Sequence, residues 1–545
     1  MDAATAPKLD PPREPDGGGP SVYLETFGCQ MNVLDSQLVV GQLRGLGYRF
    51  TDDWKSADVV LYNTCSVREV AENKVWSRIG KVGKHKADVA PGMVLGVIGC
   101  MAERDGEDLM RRHPQVDLMC GPGELDKLPM LIDNQVKTAL SQAESSGGGA
   151  ARPLSERAAL QGGSSRRSTT LAAAEDRLEL VDLSRAFSAD DTGAGGRSAY
   201  VRITRGCNKR CTYCVVPHTR GAEVHRPPDH IVEECRKLVA AGVIEITLLG
   251  QTVNHYHYDA AAAVEVAGVT QPQVGTVIHP NAGTGGPSPV FNDTTVSFAD
   301  LLRRIHDELP GLKRLRFITS FPRDFGDDIL ETIRDCARIC RYLHLPVQSG
   351  SDRVLARMNR GYRVAEYRDL IERVRRILPD ATIATDIICG FPGETEDDHR
   401  KTAGLLEWGR FKNSFIFKYS PRPGTIAFDR LTDDIPNETK KRRNNELIGI
   451  QNRISAEVHA ACVGQTFEVF VEGVSRRTAK TAEGAAPGSA SVSLGWEQDR
   501  EVTQLSGRTG GDLIAVFDGA PALIGTLATV RVTAAGGLVL QAERV

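Results

Sequence analysis

Apolar residues in this chain fall into short runs that alternate with amphipathic stretches. From Ser21 an apolar run, a cysteine and an amphipathic segment follow one another three times. SVYLETFGC leads into QMNVLDSQLVVGQLRGLGY, ADVVLYNTC into SVREVAENKVWSRIGKV, and MVLGVIGC into MAERDGEDLMRRHP. The runs have the length of strands, and the segments behind them repeat apolar positions at the helical period. A longer alternation opens at Ala199. Its strands are AYVRIT, EITLLG, RLRFIT, YLHLPV, TIATDII and NSFIFKYS, with helical segments such as PDHIVEECRKLVAAG, FADLLRRIHDEL, DDILETIRDCARI and YRDLIERVRRIL between them. After a basic helix, TKKRRNNELIGIQNRISAEVHA, the pattern turns to short strands and turns: QTFEVFVEG, DLIAVFDG and ATVRVTAAGGLVLQAE. The fold class predicted is α/β: an N-terminal three-layer domain with a parallel sheet, a central set of six βα units curled into a partial or full barrel, and a small C-terminal β-barrel.

The stretches between these patterns set the boundaries. Residues 1–20, acidic and rich in Pro and Gly, read as a disordered leader. The N-terminal domain is expected over 21–137 and a Ser/Gly/Ala-rich linker over 138–196, in which LELVDLS reads as a docked strand. The barrel follows over 197–456, interrupted by a Gly/Ala/Pro-rich insertion at 257–296, and the β-barrel over 460–545. A length of 545 residues suits that number of domains. Hydrophobic residues at 41% and charged residues at 25% are those of an ordinary globular protein. The net charge of −3 announces no global field for nucleic acid, so such a partner needs local patches. No apolar run approaches a membrane span. The leader has no h-region and carries acids that a transit peptide avoids. A cytoplasmic protein without a membrane partner is expected, and its 12 cysteines then read as metal ligands or catalytic groups before disulfides.

Three of those cysteines lie together. RGCNKRCTYCVVPHTRG, residues 205–221, places Cys207, Cys211 and Cys214 in a C-x3-C-x2-C pattern behind the first barrel strand, at the end where barrels carry active sites. Thiolates so spaced ligate iron–sulfur clusters, and three of them leave one iron open. Zinc is the rival reading, because His218 lies four residues past Cys214 and completes a Cys3His set. Cys29, Cys65 and Cys100, separated by 36 and 35 residues, occupy one topological position in three successive strand–helix units. In a parallel sheet those positions meet at the carboxyl edge, each before a helix N-terminus that favours thiolate. Taken singly, each is of the kind buried as a structural thiol. Cys120, Cys235, Cys336, Cys340, Cys389 and Cys462 fit no cluster pattern. Cys336 and Cys340 are spaced to share a helix face, and buried packing accounts for the six.

The 207–214 stretch resembles the radical S-adenosylmethionine (SAM) signature C-x3-C-x-aromatic-C, with Tyr213 as the aromatic residue. TFGCQMN, NTCSVRE and GCMAE resemble the N-terminal domain of the radical SAM methylthiotransferases. NTCSVRE with VVPHTRG is most similar to the branch acting on prenylated adenosine in tRNA, although His218 stands where tyrosine is commoner. The resemblance implies a (β/α)6 partial barrel as the central domain and two [4Fe–4S] clusters. One, on Cys207, Cys211 and Cys214, would bind SAM at its open iron and split it to a 5′-deoxyadenosyl radical; the other, on Cys29, Cys65 and Cys100, would handle sulfur. It implies methylthiolation of carbon 2 of N6-(dimethylallyl)adenosine at position 37 of tRNA with two SAM molecules. A sulfur donor, an electron donor such as flavodoxin or ferredoxin, and a monomeric enzyme are implied with it. Side chains expected near SAM are Tyr213, Gln251 in LLGQTVN, Gln348 in LPVQSGS and Asp386 in DIICGFPGET; no side chain is expected to act as acid or base. VEGVSRR, LSGRTGG and FDG make the last domain similar to a TRAM domain, yet residues 461–545 carry 7 basic against 9 acidic residues. RNA contact would then rest on placed residues: Arg476, Arg477 and Arg508; Arg68, Lys74, Arg78 and Lys81; the arginines from Arg353 to Arg376; and Lys440–Arg443. Other readings are a methylthiotransferase for threonylcarbamoyladenosine or ribosomal protein S12, and a non-catalytic iron–sulfur or zinc RNA-binding protein.

Overall fold

The structure is a computed structural model that describes residues 19–66, 69–145, 157–160, 177–183, 196–275, 293–475 and 503–545. Almost all of the predicted leader, most of 138–196, part of 257–296, and Arg68, Arg476 and Arg477 lie outside the described residues. The chain divides into two compact units, residues 1–163 with 180–186 and residues 164–179 with 187–545.

The first unit is built on a parallel sheet whose strands run in the order Arg49–Phe50, Ser21–Thr26, Val59–Thr64, Val94–Gly99, Leu118–Cys120, Ala158–Leu160. Every residue of Val59–Thr64 and Val94–Gly99 is buried. That is why these strands read as unbroken apolar runs: both faces of a parallel sheet are covered. Helix Gln30–Gly45 buries Met31, Leu34 and Leu38, and helix Glu69–Asp88 buries Val75, Ile79 and Val82. Both sets follow the helical spacing that marks one core-facing stripe.

The second unit holds the six predicted strands as two parallel three-stranded stretches. Ser198–Arg202, Glu245–Leu249 and Arg314–Phe317 form one; Tyr342–His344, Thr382–Cys389 and Asn413–Lys418 form the other. A parallel bridge between Leu315 and Ile339 joins them. Ser198–Arg202 and Asn413–Lys418 stand at the two ends of the arc, so the barrel is partial. Helices Pro228–Ala240, Phe298–Glu308, Asp327–Asp335, Val364–Ile377, Glu396–Gly409 and Asn437–Ala460 follow the strands in turn. Capping boxes at Ser297–Asp300 and Thr395–Asp398 start two of them, satisfying backbone donors that a helix leaves open. The chain ends in a closed antiparallel-rich barrel ordered Thr466–Val474, Thr503–Thr509, Ile514–Gly519, Leu540–Arg544, Leu527–Ala535. Its core is Val469, Val471, Leu505, Ala515, Phe517, Val530 and Val532. The hairpin carrying Asp512 meets the strand starts of the partial barrel. Asp512 pairs with Arg316 at 2.5 Å and Lys412 at 2.8 Å, and Arg314 donates to the carbonyls of Arg508 and Thr509 at 2.8 and 2.9 Å.

Two local expectations are corrected. LELVDLS is a helix, Arg177–Leu183, not a strand; the strand that extends the first sheet is Ala158–Leu160. Cys336 and Cys340 do not share a helix face, because the helix ends at Asp335 and Cys336 adopts extended backbone. No described helix is long and apolar enough to cross a membrane.

Candidate metal centres

In the first unit the three cysteine-bearing strands are neighbours and end level. Thr26 pairs with Asn63, and Thr64 with Gly99. Cys29 then caps helix Gln30–Gly45, Cys65 follows its strand directly, and Cys100 opens helix Cys100–Arg112. The loop carrying Cys29 can close on Cys65 because Gly28 has φ +137°, and a Cβ there would lie 2.5 Å from Cys65 Cβ. Two buried asparagines tie the edge together. Asn32 donates to Asn63 Oδ1 at 2.9 Å and to the Thr64 carbonyl at 3.1 Å; Asn63 returns a bond to the Asn32 carbonyl at 2.8 Å. Cys29 Sγ donates to Asn32 Oδ1 at 3.3 Å. Asn32 and Asn63 went unassigned in the sequence, although both stand in the words that carry the cysteines, CQMN and NTC.

The loop of the second triad is pinched at its base. Cys207 N–H donates to the Gly221 carbonyl at 3.2 Å, while Thr204 and Arg205 pair with His225 and Val224. Gly206 has φ +68°, and a Cβ on it would sit 2.0 Å from the Ala222 oxygen, so only glycine fits. Thr212 fastens the far side through the carbonyls of Met358 and Arg357 at 3.0 and 2.9 Å, and Asn359 donates to the Arg210 carbonyl at 3.0 Å. Two N–H groups reach sulfur: the Lys209 amide to Cys207 at 3.5 Å and Arg360 Nη1 to Cys211 at 3.4 Å. Burial pushes the Cys207 thiol well above its usual range, with Glu223 adding to it, and pushes Cys214 up to about 12, with Cys211 adding to it. Such thiols ionise only when a positive centre arrives among them.

A single zinc ion would draw its sulfurs to about 3.8 Å of one another, given Zn–S bonds of about 2.3 Å in a tetrahedron. Among the described residues, a histidine trio has ligand atoms all within 4.8 Å, and no set drawn from Cys207, Cys211, Cys214 and His218, or from the first triad, does. His218 is exposed on the short helix Val216–Arg220. Among the described residues neither triad holds its sulfurs at the spacing of a single bound ion.

Arg360 is the residue that sequence reasoning misplaced. Its place among the arginines from Arg353 to Arg376 suggests an RNA contact, but it is buried. Its guanidinium lies 4.5 Å over the Phe321 ring, donates to Cys211, to Tyr213 OH at 3.3 Å and to the Pro346 carbonyl at 2.8 Å. It therefore links the cysteine loop to the end of the fourth strand. Two residues on, Gln348 takes φ +74° and its N–H donates to the Asp386 carbonyl at 2.8 Å. Asp386 lies within the fifth strand, its carboxylate 2.7 Å from His344 Nε2, with Phe415 paired beside it. Gln251 is partly exposed just past the second strand. Tyr213 thus stands directly at the triad, and among the described residues no hydrogen bond joins Gln251, Gln348 or Asp386 to the cysteines.

The basic candidates divide. Lys74, Arg78 and Lys81 are exposed along one face of helix Glu69–Asp88, with Arg78 3.3 Å from Glu25. Lys440 and Arg443 are buried on Asp433 and on Glu394 and Glu396, so only Lys441 and Arg442 of that run face water. Arg508 is held by Glu472 and Asp512 at 2.9 and 3.1 Å.

A six-stranded open α/β arc with three cysteines in the loop after its first strand defines a radical SAM enzyme, and residues 201–406 match the radical SAM superfamily. Residues 21–121 match uncharacterized protein family UPF0004. The chain is 41% identical over 512 residues to the tRNA-2-methylthio-N(6)-dimethylallyladenosine synthase of Rhodopirellula baltica, covering 94% of this chain and 93% of that one. It is 37% identical to the synthase of the same name from Bacteroides fragilis, over 96% and 95% of the two chains. The chain belongs to this family of tRNA-2-methylthio-N(6)-dimethylallyladenosine synthases. A solved radical SAM methyltransferase, TsrM from Kitasatospora setae, overlays 75% of this chain and 77% of its own with a TM-score of 0.46 and 15% identity, too loose to add to the assignment.

Proposed function

We propose that this enzyme methylthiolates carbon 2 of N6-(dimethylallyl)adenosine at position 37 of tRNA, using SAM and a sulfur donor. The observation that carries the reading is the pair of cysteine triads, each gathered at the carboxyl edge of its own parallel sheet. Both are donor sets for [4Fe–4S] clusters: three thiols, no fourth protein ligand gathered with them among the described residues, and, in the second, N–H groups aimed at sulfur, a contact that tunes such clusters. Cys29, Cys65 and Cys100 would hold the cluster that handles sulfur, within 21–137, and Cys207, Cys211 and Cys214 the one that binds SAM, within 197–456. When bound, the second cluster supplies the electron that cleaves SAM, chemistry beyond side-chain acids and bases at an unactivated aromatic C–H.

The chain's own residues position. Arg360 holds Cys211 and Tyr213 against the fourth strand. Tyr213, beside the triad, would lie nearest to SAM, and Gln251, Gln348 and Asp386 are the further side chains assigned to it in this reading. Lys74, Arg78 and Lys81 offer an exposed basic face for the anticodon stem-loop, whose splayed bases suit recognition by a placed pocket. A flavodoxin- or ferredoxin-type electron donor, a separate sulfur donor, a monomeric state and a cytoplasmic location complete the reading.

Deleting the gene and digesting bulk tRNA for nucleoside mass spectrometry tests it. The expected result is loss of 2-methylthio-N6-(dimethylallyl)adenosine with accumulation of its unthiolated precursor. Unchanged 2-methylthio nucleoside refutes the proposal, and loss of the threonylcarbamoyl counterpart instead reassigns the substrate.

A further inference from the structure

Three histidines meet beside the cysteine loop, and neither the cluster chemistry nor the fold accounts for them. His225 ends the strand Val224–His225 that braces the base of the loop; His255 closes the turn Val253–His255 after the second barrel strand; His257 opens strand His257–Asp259. The ring centres lie 4.3, 5.2 and 5.9 Å apart, and one nitrogen from each ring is within 4.8 Å of the other two. His225 is 0% and His255 3% exposed. Packing two buried imidazoles against a partly exposed third costs desolvation with no apolar gain that a Leu or Phe would not exceed, so the arrangement calls for a ligand.

The hydrogen bonds fix the tautomers of two of the rings. His255 Nδ1 donates to Glu223 Oε2 at 3.0 Å, and the other Glu223 oxygen accepts from Thr252 Oγ1 at 2.7 Å. His257 Nδ1 donates to the His255 carbonyl at 2.9 Å. A carboxylate and a carbonyl only accept, so both rings carry their proton on Nδ1 and have their lone pair on Nε2. A metal-binding histidine is oriented in the same way, by a carboxylate or carbonyl behind it. Nε2 of His255, buried, has no hydrogen-bond partner. Nε2 of His225 is likewise buried and without a hydrogen bond, 3.9 Å from Glu223 Oε1.

We propose that His225, His255 and His257 form a site for a divalent transition-metal ion, zinc being the match to three imidazoles backed by a buried carboxylate. His225 joins at one cost. Its Nδ1 accepts the His257 amide N–H at 2.8 Å, so Nε2 carries the proton in the metal-free ring; on metal binding at Nε2 the proton moves to Nδ1, and the His257 N–H gives up that acceptor. One neutral hydrogen bond is exchanged for a metal–nitrogen bond. Lys209, the cation that faces this cluster, is neutralised by Asp324. The ion would staple the segment after the second strand to the strand under the cysteine loop, fixing the loop's base without redox chemistry of its own. H-x-H at 255–257 is the one trace of this in the sequence; His225 lies thirty residues earlier.

The test is elemental analysis of the full-length, cluster-loaded protein, exposed anaerobically to zinc sulfate, freed of excess metal by gel filtration, and compared with His255→Gln and His257→Asn. Iron and sulfide measured on the same samples show that the cysteine triads are occupied and the variants folded. His257 is partly exposed, so His257→Asn decides if the buried variant does not fold. The expected result is about one zinc per wild-type chain and less than about a tenth of that in the variants, at equal iron. Zinc below about a tenth per wild-type chain at full iron, or zinc undiminished in His257→Asn, overturns the site.

Discussion

Arg360 and the asparagine pair show where chemistry at the residue scale is hidden from a linear reading. The six cysteines were legible because short spacing and repeated position are properties of the chain itself. Arg360 was not, because it sits 149 residues from Cys211 and its neighbourhood, MNRGY, looks like any basic helix end. Burial is what separates it from Arg353, an exposed arginine paired with Asp398. Arg360→Lys keeps the charge and loses the fork that reaches Cys211, Tyr213 and Pro346 together. Reductive SAM cleavage, read as 5′-deoxyadenosine, should fall about 10- to 100-fold, the usual cost of losing a partner behind a metal ligand. In the first unit, Asn63→Ala strands Asn32 at a buried edge and should cost about 1–3 kcal/mol in urea unfolding. Activity should be lost with it while SAM cleavage persists.

At the scale of elements, strand and helix order could be read from periodicity because parallel strands buried on both faces leave continuous apolar runs. Boundaries could not. Helix Asp327–Asp335 stops short of the apolar pattern that continues into Cys336 and Ile339, because that stretch turns into the fourth strand and buries its side chains there. Gly206 fixes the geometry of the cysteine loop. Gly206→Ala drives a Cβ into the Ala222 carbonyl, and iron bound by the second triad should drop by more than half while the first triad keeps its iron. The Asp512 hairpin gives a pH prediction. Burial raises the Asp512 carboxyl, but Lys412, Arg316 and Arg508 outweigh it and hold it at about 2. A carboxyl lowered on folding stabilises fully above its unfolded pKa, about 3.9, and the contribution disappears as pH falls through about 2. Wild-type protein should lose about 2 kcal/mol between pH 5 and pH 2 through this group, measured by thermal unfolding. Asp512→Asn should show no such loss in that window.

For the whole molecule, the order of an α/β domain, a βα barrel and a small β-barrel followed from the pattern, that the βα barrel is partial followed from the family resemblance, and membership in the synthase family rests on similarity along nearly the full chain. Bulk charge was a poor guide: the net −3 hides a basic face at Lys74, Arg78 and Lys81, while half of the Lys440–Arg443 run is spent on internal ion pairs. Two clusters require about eight irons and eight sulfides per reconstituted chain. Replacing Cys29, Cys65 and Cys100 by alanine should leave about four irons and intact SAM cleavage but no thiolated product. Replacing Cys207, Cys211 and Cys214 should leave about four irons and abolish cleavage. The most direct measurement supplies the anaerobically reconstituted enzyme with SAM, sulfide, a reductant and tRNA carrying N6-(dimethylallyl)adenosine, and analyses the nucleosides by mass spectrometry. The 2-methylthio derivative should appear together with 5′-deoxyadenosine, and should not appear on tRNA carrying threonylcarbamoyladenosine. 5′-Deoxyadenosine without 2-methylthio-N6-(dimethylallyl)adenosine, from enzyme holding both clusters, would contradict the account.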